Sequence, residues 1–424
     1  MKNQVTQIKN GISLHCIETP IFKTNLVSVF ITSKLNRDNI TKDALIPAVL
    51  RRGTKNLKTQ EEISKLLENM YGASFDCGIE KSGDNHVLKF YLESLNDSYI
   101  KKSENLMKNS ISTLLEIVFN PYIEDGKFKN DYVESEKNNL KQIIEAKIDN
   151  KDAYAYTRAV EEMFKDMPYS LYKYGYIEDL ESINSENLYK YYEDLLKRSK
   201  IDIFVSGNVQ NDKIINIIKE NENILNLQDR TPDFYINNET SEKNVKKDEE
   251  YFEEKMNIAQ GKLVIGLNIL TNEKESRFPA LLYNTILGDS ANSKLFQNVR
   301  EKAHLAYTAR SGYIRSKQCI FIRAGIEIEN YEKALEIIKE QIDDMKNGKF
   351  NNEDIENAKK YLISSIDSIE EEQDTEITYY FGQELSNEFY TPEEYKQKIK
   401  SISKEDIEEI ANKIQINTIF FLRN

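Results

Sequence analysis

The feature that most constrains this chain is a sequence pattern that occurs twice at one offset (348 − 126 = 222). The segment GKFKNDYVESEKNNL begins at Gly126, and the similar segment GKFNNEDIENAKKYL begins at Gly348. A second pair lies further along: ESINSENLYKYYEDLL (181–196) is similar to KSISKEDIEEIANKI (400–414), and each is followed by a short apolar run. Repetition at a nearly fixed offset indicates one structural unit used more than once. The sequence therefore predicts a tandem duplication.

Within each copy, apolar residues follow two different periods. Alternating apolar residues predict half-buried strands at 26–33 and 87–94 in the first copy, and at 262–270 and 319–328 in the second. Residues 333–348 instead have the apolar spacing of a helix. Strands followed by helices are typical of an α+β fold. We expect two homologous domains, each a mainly antiparallel sheet with helices packed on one face, forming half of a clamshell.

The predicted domain boundaries follow from a polar stretch between the two copies. Residues 237–250, NNETSEKNVKKDEE, are charged and lack apolar periodicity. Such a composition is typical of an exposed linker. We predict an N-terminal domain at 1–226, a charged linker at 227–251 and a C-terminal domain at 252–424.

Composition excludes several classes of function. The formal net charge of −13 makes a nucleic-acid backbone an unfavourable partner. The three cysteines, Cys16, Cys77 and Cys319, lie far apart, which fits a reducing compartment better than a disulfide framework. No stretch approaches the roughly 20 apolar residues that span a membrane, and the first residues lack the apolar run of a signal peptide. These features predict a soluble, cytoplasmic protein.

One segment of the second copy carries a specific motif. Residues 290–307 have the sequence SANSKLFQNVREKAHLAY, a loop of small residues followed by S-x-L-F-x-x-V-R-E-x-x-x-L-A-Y. This motif and the duplicated α+β pattern resemble the insulinase and pitrilysin-like zinc peptidases, whose two-chain branch includes the mitochondrial processing peptidase. The resemblance spans nearly the whole chain. Arg300 and Tyr307 match the arginine–tyrosine pair of that family with its spacing (307 − 300 = 7).

A guanidinium and a phenol can both donate hydrogen bonds to a peptide carbonyl. Donors aimed where negative charge develops are worth about 100- to 1000-fold in rate. The alternative is that Arg300 forms a surface ion pair and that Tyr307 is a half-buried core residue. The chain has 25 tyrosines, so a single tyrosine carries no information by itself. The longer motif favours the functional interpretation. The segment just before, where the family has a glycine-rich loop, is richer in Ser and Asn: Gly288, Asp289, Ser290, Ala291, Asn292 and Ser293.

The zinc site that the resemblance implies has lost its ligands. The family carries H-x-x-E-H on a helix of its first domain, which supplies two zinc ligands and a general base. Alignment on the Arg-Arg-Gly-Thr sequence that follows places Ala44 and Ala48 at the histidine positions and Pro47 at the glutamate position. The third ligand, a downstream glutamate, aligns with Ile143. We predict no metal in this chain, and a proline that deforms its helix or marks the start of it.

The remaining histidines do not suggest another metal site. No two of His15, His86 and His304 lie within one helical turn, and a catalytic zinc normally needs three protein ligands. We expect His15 and His86 to lie in strands, as packed or surface residues, and we assign His304 no role. Glu134 and Glu136 are expected on the solvated face of a helix.

The resemblance therefore implies a function that needs a second chain. We predict a non-catalytic, substrate-binding subunit of a heterodimeric zinc metallopeptidase, which donates Arg300 and Tyr307 to a homologous partner that carries H-x-x-E-H and the zinc. The substrate would be a peptide, and no activity is expected from this chain alone. Two alternatives stay open: a catalytically inactive structural or peptide-binding scaffold, possibly a homodimer, and an independent peptidase with unconventional ligands.

Overall fold

Two compact units make up the chain in the computed structural model, which describes residues 3–100, 105–237, 248–271 and 273–424. The first unit consists of Met1–Ala146, Leu171–Ile236 and Glu372–Leu385. The second consists of Lys147–Ser170, Asn237–Glu371 and Ser386–Asn424. Each unit therefore includes a segment from the other half of the sequence.

Strands and α-helices occur in both halves of the described chain. The strands are β1 (Asn3–Lys9), β2 (Ile12–Glu18), β3 (Thr24–Lys34), β4 (Ser74–Ser82), β5 (Asn85–Leu95), β6 (Ile123–Glu124), β7 (Lys127–Phe128), β8 (Lys200–Gly207), β9 (Glu250–Lys255), β10 (Gly261–Ile269), β11 (Ala306–Ile314), β12 (Cys319–Ile326) and β13 (Ile414–Arg423). The helices are α1 (Ile40–Leu50), α2 (Gln60–Asn69), α3 (Leu106–Phe119), α4 (Asn130–Glu145), α5 (Lys151–Met163), α6 (Ile177–Leu180), α7 (Ser185–Arg198), α8 (Asn211–Glu220), α9 (Glu222–Leu225), α10 (Arg277–Asn284), α11 (Tyr331–Lys346), α12 (Asn352–Asp367), α13 (Gln373–Ser386), α14 (Pro392–Ser401) and α15 (Lys404–Asn412).

Each unit is built on one mainly antiparallel sheet. The strand order is β1-β2-β8-β3-β5-β4 in the first unit and β11-β12-β10-β13-β9 in the second. Each of these sheets has one parallel pair, β2 with β8 and β13 with β9. Read from opposite ends, the two orders match strand for strand, with β1 as the additional strand. The topology confirms the predicted α+β fold with two similar units.

The helices also follow the repeat. Helices α4 and α12 are separated by the same offset at both ends (352 − 130 = 222; 367 − 145 = 222). Gly126 and Gly348, which open the two repeated segments, have φ values of 76° and 64°. Only glycine adopts such values without steric strain, which explains why both copies have this residue there.

Several helices cover one face of each sheet. In the first unit, α1, α3 and α7 pack on β3 and its neighbours, through residues such as Leu45, Leu114 and Leu188. In the second unit, α10, α11, α12 and α15 contribute to the equivalent core. Burial of apolar surface is worth about 25 cal/mol per Å² and drives this packing.

One helix also lies on the opposite face of each sheet. Helix α13 packs on the first sheet through Ile377, Phe381 and Leu385, and α5 packs on the second through apolar residues that include Ala159 and Met163. The two helices are equivalents in the repeat (373 − 151 = 222). Central strands such as β3 are consequently buried on both faces. The prediction that residues 26–33 form a half-buried strand is wrong in this respect.

The predicted boundaries at 226 and 252 separate the two copies in sequence. They do not account for the exchange in which α5 belongs to the second unit and α13 to the first. The predicted linker at 227–251 lies partly outside the described residues, and its last two positions, Glu250 and Tyr251, already belong to β9. Among the described residues, no helix combines the length and apolar character required to span a bilayer.

Candidate functional site

The motif at 290–307 follows one irregular helical turn and contains a second. Residues Thr285–Asp289 and Phe296–Lys302 form π-helical turns, the first at the end of α10 and the second just before β11. Such turns are rare and frequently occur at functional sites, because they redirect the side chains that follow. The segment that carries Arg300 and Tyr307 is therefore shaped by local departures from regular helix.

The loop at 288–293, which the sequence predicts to correspond to the family's glycine-rich loop, is fixed at both ends. At Gly288, a Cβ atom would lie 2.6 Å from the backbone nitrogen of Ser311, so only glycine fits. Ser293 is buried, and its hydroxyl accepts a hydrogen bond from the backbone N–H of Phe296 at 3.4 Å. Between these ends Ser290 is half-buried, and the exposed residues of the tip are Asp289, Ala291 and Asn292.

Arg300 points an accessible guanidinium outward from the second π-helical turn. Its side chain is 44% exposed. The guanidinium carbon lies 4.7 Å from the centre of the Phe296 ring, and Nε lies 3.5 Å from the Glu301 carboxylate. Stacking on an aromatic ring holds a guanidinium in place while leaving its outer N–H groups free to donate.

Tyr307 occupies a β-bulge at the start of β11. Ala306 pairs with Ile326 and Thr308 pairs with Gly325, so Tyr307 is an extra residue with no partner across the ladder. Bulges re-aim side chains and are enriched beside active sites. Tyr307 is 64% exposed, and no described residue forms a hydrogen bond with its hydroxyl.

Arg300 and Tyr307 line one pocket of about 330 Å³, together with Glu301, His304 and Glu327. His304 has a φ of 55°, a strained value for a residue with a side chain. Strain of this kind is found where the surrounding structure fixes a functional geometry. The sequence motif found Arg300 and Tyr307, whereas Glu327 follows β12 and reaches the pocket only through strand pairing.

The positions predicted to correspond to the family's zinc ligands and base lie on α1 and α4. Ala44 and Pro47 are buried, Ala48 is half-buried, and Ile143 is 45% exposed. Pro47 is inside α1, which continues to Leu50, so this proline does not mark a helix start. None of these four side chains offers a metal ligand.

Other groups fill the space around Pro47. The thiol of Cys77 donates a hydrogen bond to the Pro47 carbonyl at 3.4 Å, and burial raises the pKa of Cys77 to about 11. This thiol is therefore neutral near pH 7 and is a poor metal ligand or nucleophile.

Glu136, on α4, differs from its prediction. It is buried and lies 3.3 Å from the Arg52 guanidinium, while Glu134 is exposed and pairs with Lys137. The prediction of a solvated position is wrong for Glu136, because α4 packs beside α1 and turns this carboxylate towards Arg52.

The two strand histidines are buried on separate parts of the first sheet. His86 Nδ1 lies 3.2 Å from Asp43, whose other oxygen accepts a hydrogen bond from the Tyr191 hydroxyl at 2.6 Å. His15 stacks on Phe204, with ring centres 4.2 Å apart. Both are packed within strands as expected. Among the described residues, the three groups close enough to share a metal ion are His15, Asp202 and Glu384.

Comparison with known proteins places this chain in a family. Residues 182–362, which include Arg300 and Tyr307, match the family described as "Peptidase M16 inactive domain". The chain is 34% identical over 425 residues to the "Probable inactive metalloprotease YmfF" of Bacillus subtilis (strain 168), covering 99% of this chain and 98% of that protein. It is also 29% identical over 174 residues to the "Uncharacterized zinc protease YmfH" of the same organism, covering 40% of this chain and 38% of that one.

A solved structure shows the same architecture. The crystal structure of a conserved protein from Enterococcus faecalis V583 superposes with a TM-score of 0.90 at 27% identity, covering 100% of this chain and 99% of that chain. Since the match to the Bacillus protein extends over almost the full length of both sequences, this chain belongs to the insulinase-like peptidase M16 family, as a non-catalytic member without the H-x-x-E-H motif.

Proposed function

We propose that this chain is the substrate-binding subunit of a heterodimeric zinc metallopeptidase. It contributes Arg300 and Tyr307 to an active site whose zinc, water and general base belong to a homologous partner with an H-x-x-E-H motif. The substrate class is a peptide in an extended or unfolded state. Zinc in the partner would activate the attacking water, and this chain would bind the scissile carbonyl.

The observation that carries the proposal is the accessibility of both donors in one pocket. Arg300 and Tyr307 come from a π-helical turn and a β-bulge, and both side chains are exposed beside Glu327. Two donors that converge on one cavity can bind the oxygen on which negative charge develops during peptide hydrolysis.

The lack of metal ligands in the first half of the chain also supports the proposal that the zinc belongs to a partner. Ala44, Pro47, Ala48 and Ile143 provide neither a zinc ligand nor a base, so hydrolysis through this site requires a metal from another chain. Bacillus subtilis has both a relative named as a probable inactive metalloprotease and one named as a zinc protease. One cell can therefore contain an inactive chain together with a zinc-protease homologue.

The test is a reconstituted pair. We would co-express this chain with an H-x-x-E-H homologue from the same cell and measure kcat and KM for a fluorogenic peptide. Arg300→Ala and Tyr307→Phe are each expected to lower kcat by about 100- to 1000-fold, because each removes a donor to the developing oxyanion.

Two exposed residues serve as matched controls. Arg310 lies on the same strand as Tyr307 and is 58% exposed, and Tyr99 is 54% exposed in the first unit. Arg310→Ala and Tyr99→Phe should leave kcat within about twofold of the wild type, since surface substitutions away from the site have small effects. Unchanged kcat in both Arg300→Ala and Tyr307→Phe would leave a peptide-binding scaffold as the better description.

A further inference from the structure

Three potential metal ligands meet on the first sheet, on the face covered by α13. His15 lies on β2, Asp202 on β8 and Glu384 on α13. Because His15 pairs with Phe204 in the parallel ladder, His15 and Asp202 project from the same face. One ligand atom from each of the three residues lies within 4.8 Å of the other two.

The imidazole of His15 lies between the two carboxylates. Its Nε2 atom is 3.2 Å from Asp202 Oδ1, and its Nδ1 atom is 4.0 Å from Glu384 Oε1. His15 and Asp202 are fully buried, whereas Glu384 keeps 14% of its side chain exposed. An ion from solvent could therefore reach the cluster past Glu384.

Two buried atoms of this cluster have no hydrogen-bond partner among the described residues. They are Nδ1 of His15 and Oδ2 of Asp202. A buried polar atom without a partner destabilises a fold, so such atoms call for a bound water or ion. Both atoms belong to residues that could ligate a cation.

A cation from the chain itself already lies beside the two carboxylates. The ammonium of Lys200 forms an ion pair with Asp202 and lies 3.5 Å from Glu384 Oε2. The Lys200 side chain is long and 12% exposed, so it can turn towards solvent when another cation takes its place. The electrostatics of the cluster thus favour a positive charge at this position.

We propose that His15, Asp202 and Glu384 bind one divalent transition-metal ion, and that Lys200 competes with that ion. One imidazole and two carboxylates form a ligand set that suits Zn²⁺, with water completing the coordination. Zinc–ligand distances of about 2.0–2.2 Å require the Glu384 carboxylate to move towards His15 and Asp202. Its side chain can do so because it is partly exposed to solvent. The bound ion fastens α13 to the sheet and is independent of the pocket around Arg300 and Tyr307.

The test uses the full chain without a histidine tag, after treatment with a chelator and dialysis. Titration calorimetry with Zn²⁺ is expected to show one tight site per chain. Glu384→Gln should weaken that site by about 10- to 100-fold, as loss of a group that holds a metal does. Lys200→Met should strengthen it, because the substitution removes the competing ammonium.

Glu372→Gln is the matched control, since Glu372 is an exposed carboxylate just before α13, and it should leave the affinity unchanged. Thermal unfolding provides a second measurement: Zn²⁺ should raise the Tm of the wild type and not that of Glu384→Gln. Either of two results would overturn the proposal. One is no stoichiometric Zn²⁺ uptake by wild type and Lys200→Met, and the other is uptake that Glu384→Gln does not weaken.

Discussion

Gly288 and Gly312 show how differently two glycines of the second unit depend on their surroundings. At Gly288 a Cβ would lie 2.6 Å from the backbone nitrogen of Ser311 and 2.8 Å from Leu295 Cδ1. At Gly312 nothing lies within 4 Å of the corresponding position. The backbone of Ser311 cannot yield as a flexible side chain could, so the loop that precedes the Arg300 motif is held close to β11.

Gly288→Ala is therefore expected to lower the free energy of unfolding by about 1–3 kcal/mol, the usual effect of overpacking. Gly312→Ala adds the same methyl group in open space and should change it by less than about 0.5 kcal/mol. Urea unfolding of the two variants measures the difference. Equal stability of the two variants would contradict the close approach of Gly288 to Ser311.

The residues of the site differ in how far sequence could identify them. Arg300 and Tyr307 belong to one continuous motif, so its resemblance to the family's motif singled them out. Glu136 changes its environment through contact with Arg52, and Asp202 and Glu384 come from distant segments. Contacts of this kind depend on how strands and helices pack, which no local spacing specifies.

At the scale of elements, α13 is the helix whose position sequence could not predict. Nothing in its local sequence indicates that it packs on the sheet of the other sequence half. Phe381 is its central contact: the ring lies 4.6 Å from that of Phe30 and 6.3 Å from that of Phe204, measured between centres. The neighbouring Thr378 is exposed.

Phe381→Ala should destabilise the chain by about 3–5 kcal/mol, because it leaves a large cavity between helix and sheet. Thr378→Ala should have an effect of less than about 0.5 kcal/mol. Chemical denaturation monitored by circular dichroism compares them. A loss below about 1 kcal/mol for Phe381→Ala would show that α13 is not firmly packed in solution.

At the scale of the whole molecule, each compact unit needs a helix encoded in the other half of the chain. Residues 1–236 contain the first sheet but lack α13, which covers Ile17, Phe30 and Phe204. Exposed apolar patches of this kind bind hydrophobic dyes and promote aggregation.

A fragment of residues 1–236 is thus expected to bind the dye ANS, and a synthetic peptide of residues 372–386 should suppress that binding. A peptide with Phe381→Ala should suppress it less, since Phe381 supplies much of the apolar contact. The measurement is ANS fluorescence during titration with each peptide. A fragment that fails to bind ANS even without peptide would contradict the need for α13.

The placement of α5 and α13 also limits how such a gene could be rearranged. A recombination event that kept only the first half of the chain would keep the first sheet but lose α13, which covers it. It would also keep α5 but lose the second sheet, on which α5 packs. Keeping only the second half has the converse effect. The two copies, although similar in sequence, must therefore stay together in one gene.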